Sequence, residues 1–91
     1  STQKAHYLAD AINILAGFSV KTEYFFNEFV VEVPGSSKIL ISKATEAGFF
    51  PGIALSQFER NSENLLLVAV TEKRSKQEMD DLVAFLKGYT I

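Results

Sequence analysis

Residues 64–71 read NLLLVAVT, and the stretch from Leu65 to Val70 is apolar at every position. A strand with one wet face alternates, so an unbroken apolar run suits a central strand covered on both sides. Leu65, Leu67 and Ala69 fall on one face of it and Leu66, Val68 and Val70 on the other. The run is far too short for a membrane helix, which needs roughly 20 apolar residues. A two-layer domain built around such a strand leaves one of its faces bare, and a bare apolar face marks an interface.

Immediately downstream, residues 71–78 read TEKRSKQE. Ser75 and Glu78 have the spacing of a capping box, and Met79, Leu82, Val83 and Leu86 then form the apolar stripe of a helix. Upstream, FFPGIALSQF at 49–58 is a loop leading into a short strand, with Pro51-Gly52 as the turn signal. Before it, Pro34-Gly35 breaks the chain, Ser36 or Ser37 caps a second helix, Leu40, Ala44 and Ala47 make its stripe, and Gly48 ends it. The segment FSVKTEYFFNEFVVEV at 18–33 has period two, with Phe29, Val31 and Val33 on one side and Glu28, Val30 and Glu32 on the other. Near the start, Leu8, Ile12 and Leu15 predict a helix from Lys4 to about Ala16, stopped at Gly17. The order helix, one or two strands, helix, one or two strands, helix predicts an α+β two-layer sandwich, with helices on a small, mostly antiparallel sheet.

The chain has 91 residues and is expected to form a single domain over 1–91. Its content of 47% hydrophobic and 22% charged residues is that of a folding globular chain. A net charge of −2 argues against nucleic acid, whose phosphates need clustered Lys and Arg. The absence of cysteine rules out disulfides, a thiolate nucleophile and a Cys-based zinc site within this stretch. No signal segment opens it and no stretch spans a membrane, which gives a cytoplasmic expectation. Starting in a helical pattern without Met, it reads as an excised piece of a longer chain.

His6 is the single histidine, so neither a His-based metal cluster nor a Ser-His-Asp set can form from these residues, and no catalytic or metal site is assigned. Glu28 and Glu32 share a strand face that reads as solvated. Asn27 stands beside Phe25, Phe26 and Phe29, either ending a turn or donating from a pocket edge. Lys73 and Arg74 precede a helix N-terminus, a place where anions are favoured. The glycines of GFFPG at 48–52 have neither the dinucleotide spacing nor a Walker lysine, so they make no phosphate loop.

Four stretches, KAHYLADAI, FFNEFVVEVP, GIALSQF and above all ENLLLVAVTEKRSKQEMDDLVAFL, give the chain a resemblance in order over nearly its whole length. They resemble the C-terminal small domain of subunit 1 of the glycine dehydrogenase (decarboxylating) P-proteins, a pyridoxal-phosphate family of the aspartate aminotransferase fold type. The resemblance implies a large cofactor domain in the same chain, a second P-protein subunit that carries the Schiff-base lysine, and a lipoylated H-protein that receives the aminomethyl group of glycine. It implies pyridoxal phosphate in the parent complex and none on this segment, which it makes a structural and subunit-contact part. Asn64 stands where many aminotransferases of this fold carry a carboxylate-binding arginine. Asn27, Glu28, Thr71 and Arg74 are the family-motif positions implied for a pocket edge or a subunit interface. The competing expectation is a stand-alone regulatory module that binds a small ligand, because architectures of this kind host many functions.

Overall fold

The computed structural model describes residues 2–21, 27–71 and 73–90, with the side chain of Thr2 excepted. In chain order the elements are α1 (Thr2–Asn13), β1 (Ser19–Val20), β2 (Glu28–Glu32), α2 (Ser37–Glu46), β3 (Ile53–Ala54), β4 (Leu65–Ala69) and α3 (Lys76–Lys87). A 3₁₀ turn at Leu55–Gln57 follows β3. The four strands form one antiparallel sheet in the order β1-β2-β4-β3, so the all-apolar strand is interior, as its composition predicts.

The core lies on one side of this sheet. Phe29, Val31 and Val33 from the β2 segment and Leu66, Val68 and Val70 from the β4 segment are buried against Leu8 and Ile12 of α1, Leu40 of α2 and Met79, Leu82 and Leu86 of α3. Each of the larger side chains contributes about 1.5–3 kcal/mol by leaving water. The register explains why these residues meet: Phe29 faces Val68 and Val31 faces Leu66 across the ladder. Directly paired residues point to the same face of the sheet.

Two expectations are corrected. The first helix starts at Thr2 and ends at Asn13, short of Ala16. The Asn13 side chain there accepts from the Val20 backbone N–H at 2.9 Å, and the chain turns through Gly17 into β1. Ala47 does not belong to the stripe of α2, because it is the C-cap and exposed, while Leu40 and Ala44 are buried. Gly48 is one residue beyond the cap, at φ +93, a left-handed conformation that glycine adopts without a Cβ penalty. As expected of a two-layer domain, β4 is covered on one face only among the described residues, since Leu65 and Leu67 stay half-buried and Ala69 exposed.

Gly52 holds the short edge strand close to its neighbour. A Cβ at this position would lie 2.3 Å from the Leu67 carbonyl oxygen, which is backbone and cannot swing away. Gly52→Ala is therefore expected to push β3 off β4 and to cost at least about 2 kcal/mol. For a domain of this size that is a fall of about 10 °C or more in Tm. An unchanged thermal transition would show that β3 and β4 do not need this approach.

Candidate functional site

Three of the four motif positions cluster at the end of the sheet where β2 enters and β4 leaves. The Val70 N–H donates to the Asn27 carbonyl at 2.8 Å, and Glu28 pairs with Ala69, so Asn27, Glu28 and the exposed Thr71 share one sheet corner. Asn27 is half-buried and lies in a turn. Phe25 and Phe26 beside it, and Glu72 in the loop, lie outside the described residues.

Arg74 turns away from this group. Its N–H closes a turn onto the Thr71 carbonyl at 3.1 Å, and its guanidinium donates to the Phe50 carbonyl at 3.0 Å, in the segment that leads into β3. Since β4 separates β2 from β3, Arg74 is directed to the opposite side of β4 from Asn27 and Glu28. The structure thus divides the four residues into three and one. With Glu78 and Asp81, Arg74 lines a cleft whose other wall is Gly48, Phe49 and the exposed Phe50.

The corner is fastened by contacts that leave no local trace in the sequence. Lys4 of α1 donates its ammonium to the Arg74 carbonyl at 2.7 Å, across a sequence separation of 70 residues. One turn further along α1 the Tyr7 hydroxyl donates to Asp80 of α3. Lys76 sits 5.4 Å from the Tyr7 ring centroid and bridges Asp80 at 2.8 Å. Hydrogen bonds from Lys76 first and Tyr7 second hold the Asp80 carboxyl below the usual range, and the Asp80 contact raises Lys76. These are exposed groups, so the cluster orients α1 against α3 more than it stabilises them.

The remaining candidates resolve as surface structure. Glu28 is exposed, whereas Glu32 accepts from the Asn64 side-chain amide at 2.9 Å and pairs with Lys21 at 3.4 Å. Four residues apart on a strand, the two carboxylates are separated by about 13 Å, too far to work as an acid–base pair. Asn64 thus serves the β2–β4 junction, and its own carbonyl accepts from the Val33 N–H at 2.8 Å. His6 is exposed on α1, and among the described residues no group of three or more His, Asp or Glu is placed to hold a metal. Also among the described residues, no helix is long and apolar enough to cross a membrane.

Against known proteins, no family model matches the chain. Individual proteins do. The chain is 52% identical over 87 residues to the probable glycine dehydrogenase (decarboxylating) subunit 1 of Chlorobaculum tepidum, a match spanning 94% of this chain and 19% of that protein. The counterpart in Chlorobium chlorochromatii is 51% identical over 89 residues, and that of Dictyoglomus turgidum 42% over 86. A crystal structure of glycine decarboxylase (P-protein) of the glycine cleavage system, in inhibitor-bound form, superposes with a TM-score of 0.82 at 28% identity, covering 96% of this chain and 20% of that one. The homologues of this chain are glycine dehydrogenase subunits. It spans about one fifth of the length of the relatives it matches. The resemblance read from the four sequence stretches is therefore borne out, and so is the α+β sandwich that it implies.

The capping box is present as predicted. The Ser75 side chain accepts from the Glu78 N–H at 3.0 Å, and Glu78 accepts from the Ser75 N–H at 2.7 Å. That backbone hydrogen bond, followed by the Ser75 hydroxyl, holds the Glu78 carboxyl below its ordinary range. A carboxyl lowered on folding stabilises the fold above its unfolded pKa, about 4.3 for Glu, and loses that contribution as pH falls through the folded value. Ser75→Ala should cost about 1 kcal/mol at neutral pH. The Tm difference between the native protein and Glu78→Gln should be larger at neutral pH than in acid below the folded pKa. A difference that does not change with pH would remove Glu78 from the cap.

Proposed function

We propose that this chain is the small C-terminal domain of subunit 1 of a glycine dehydrogenase (decarboxylating). In that protein it is a structural and subunit-contact part, and the chemistry is carried elsewhere. The identity of about half the residues along almost the whole of the chain carries this reading. The parent would use pyridoxal phosphate to take the carboxylate of glycine off as carbon dioxide and pass the aminomethyl group to the lipoyl arm of an H-protein. The cofactor supplies the electron sink for that chemistry, and the protein supplies placement. A cytoplasmic location goes with the same reading.

The described residues do not fit a cofactor cradle of their own. Lys4 is half-buried with its ammonium donated to the Arg74 carbonyl, and Lys21, Lys38, Lys43, Lys73, Lys76 and Lys87 are exposed. A lysine that forms a Schiff base is activated by a desolvated pocket or a neighbouring cation. The cofactor, its lysine and the lipoylated partner are accordingly assigned to the rest of the enzyme.

Asn27, Glu28 and Thr71 form a polar corner at one end of the sheet, and Arg74 a guanidinium at the adjoining cleft. We assign the first three to a subunit contact and Arg74 to the pocket edge. The polypeptide encoded by the source gene, combined with its partner subunit and lipoylated H-protein, should release labelled carbon dioxide from carboxyl-labelled glycine. No release from a correctly assembled complex would overturn the reading. Arg74→Ala in that complex should raise the KM for glycine at unchanged assembly. Turnover and assembly both unchanged would leave the 71–78 loop a strand-to-helix corner and nothing more.

A further inference from the structure

The peptide that joins Arg74 to Ser75 has both of its polar groups bonded to charged side chains. Its carbonyl accepts from the Lys4 ammonium at 2.7 Å, and its N–H, that of Ser75, donates to the Glu78 carboxylate at 2.7 Å. That carbonyl stands outside the helix ladder, because the ladder of α3 opens with the Met79 N–H on the Ser75 carbonyl. Hydrogen bonds to ionised groups are shorter and stronger than neutral ones. Lys4 of α1 and Glu78 of α3 therefore grip one peptide plane between them, and with it the root of the Arg74 side chain. From that root the guanidinium reaches the Phe50 carbonyl at 3.0 Å, beside the cleft that it lines with Glu78 and Asp81.

We infer that Lys4 is a positioning residue for Arg74: it sets where the guanidinium stands at the pocket edge without itself touching substrate. The inference rests on the assignment of Arg74 to that edge, and it adds the residue that aims it. The Lys4 bond crosses a sequence separation of 70 residues, so it places the 71–75 loop relative to the helix layer instead of shaping a local turn. Lys4 is also half-buried, whereas the other lysines are exposed. The arginine side chain is long, and a small rotation of its root displaces the guanidinium by about 1 Å or more. A displacement of that size in a substrate-positioning group can cost about a hundredfold in rate.

The test uses the polypeptide encoded by the source gene, assembled with its partner subunit and lipoylated H-protein, and compares Lys4→Met, Arg74→Ala and the double variant. Lys4→Met keeps the aliphatic stem and removes the donor. It should raise the KM for glycine about threefold or more at unchanged assembly, and it should add nothing to Arg74→Ala, because a residue that acts through the guanidinium has no effect once the guanidinium is gone. Lys4→Arg, which restores a charged donor, should return the KM toward the native value. Where Arg74→Ala raises the KM, an unchanged KM in Lys4→Met, or an equal increment in both backgrounds, would overturn the inference. Position is also read without turnover. Arg60 and Arg74 are the two arginines of this sequence, so modification with a dicarbonyl reagent and peptide mapping gives the reactivity of each. Arg74 should react about threefold or more faster in Lys4→Met than in the native protein, with the rate at Arg60 unchanged. The same Arg74 rate in both proteins would sink the positioning role. A changed rate combined with a KM indifferent to Arg74→Ala would overturn the assignment of Arg74 to the pocket edge and leave Lys4 as the residue that holds it. If Lys4→Met fails to assemble, Lys4→Gln, which removes the charge and shortens the reach, takes its place in both measurements.

Discussion

The pairing of β2 with β4 is the contact on which the other elements rest. Five residue pairs, from Glu28 with Ala69 to Glu32 with Leu65, join two segments that have α2 and β3 between them in the chain. The entropy of closing so long a loop is set against the burial of Phe29, Val31, Leu66 and Val68 on one face. A slip of one residue would turn that whole set outward, so the hydrophobic pattern and the register enforce each other. The edge strands β1 and β3 have two residues each and exist by pairing with this central ladder. Gly52, pressed against the Leu67 carbonyl, shows how close one of those pairings is.

The helices follow from the same ladder. The face bearing Phe29 and Leu66 needs a second layer, and α1, α2 and α3 supply it through Leu8, Leu40, Leu82 and their neighbours. Polar contacts then fix how that layer sits. Lys4 reaches the carbonyl of Arg74, and the Tyr7–Asp80–Lys76 cluster joins α1 to α3 at the surface. Such exposed bonds add little net stability, but they are directional and orient helices that nonspecific apolar contact alone would allow to slide.

Much of this was legible in the residues. The apolar run at 65–70 announced an interior strand, Ser75 and Glu78 announced a capping box, and the alternation of Phe29, Val31 and Val33 announced the buried face of a strand; the structure contains each of them. These features depend on neighbours within a turn or two, where periodicity and capping act. The errors lie at boundaries decided by distant partners. The first helix ends at Asn13 because that side chain is engaged by Val20, and Ala47 lies outside the stripe because α2 has already reached its cap. Of the four motif residues, nothing in the sequence indicated that Arg74 turns from the others toward the Phe50 carbonyl. Asn64 gave no sign that it would serve Glu32.

The family resemblance was equally a property of sequence, carried by ordered stretches that the relatives share at about half their positions along the chain. By itself the sequence determined the helix and strand types, the capping box and the apolar residues available for burial, because each depends on backbone propensity and local period. Only the tertiary structure decided which face of β4 is buried. Both parities of that strand are apolar, and local pattern cannot distinguish them; the choice was made when Phe29 and Val31 met Val68 and Leu66 on the side where the helices pack. Long-range register broke a symmetry that the residues of β4 leave open.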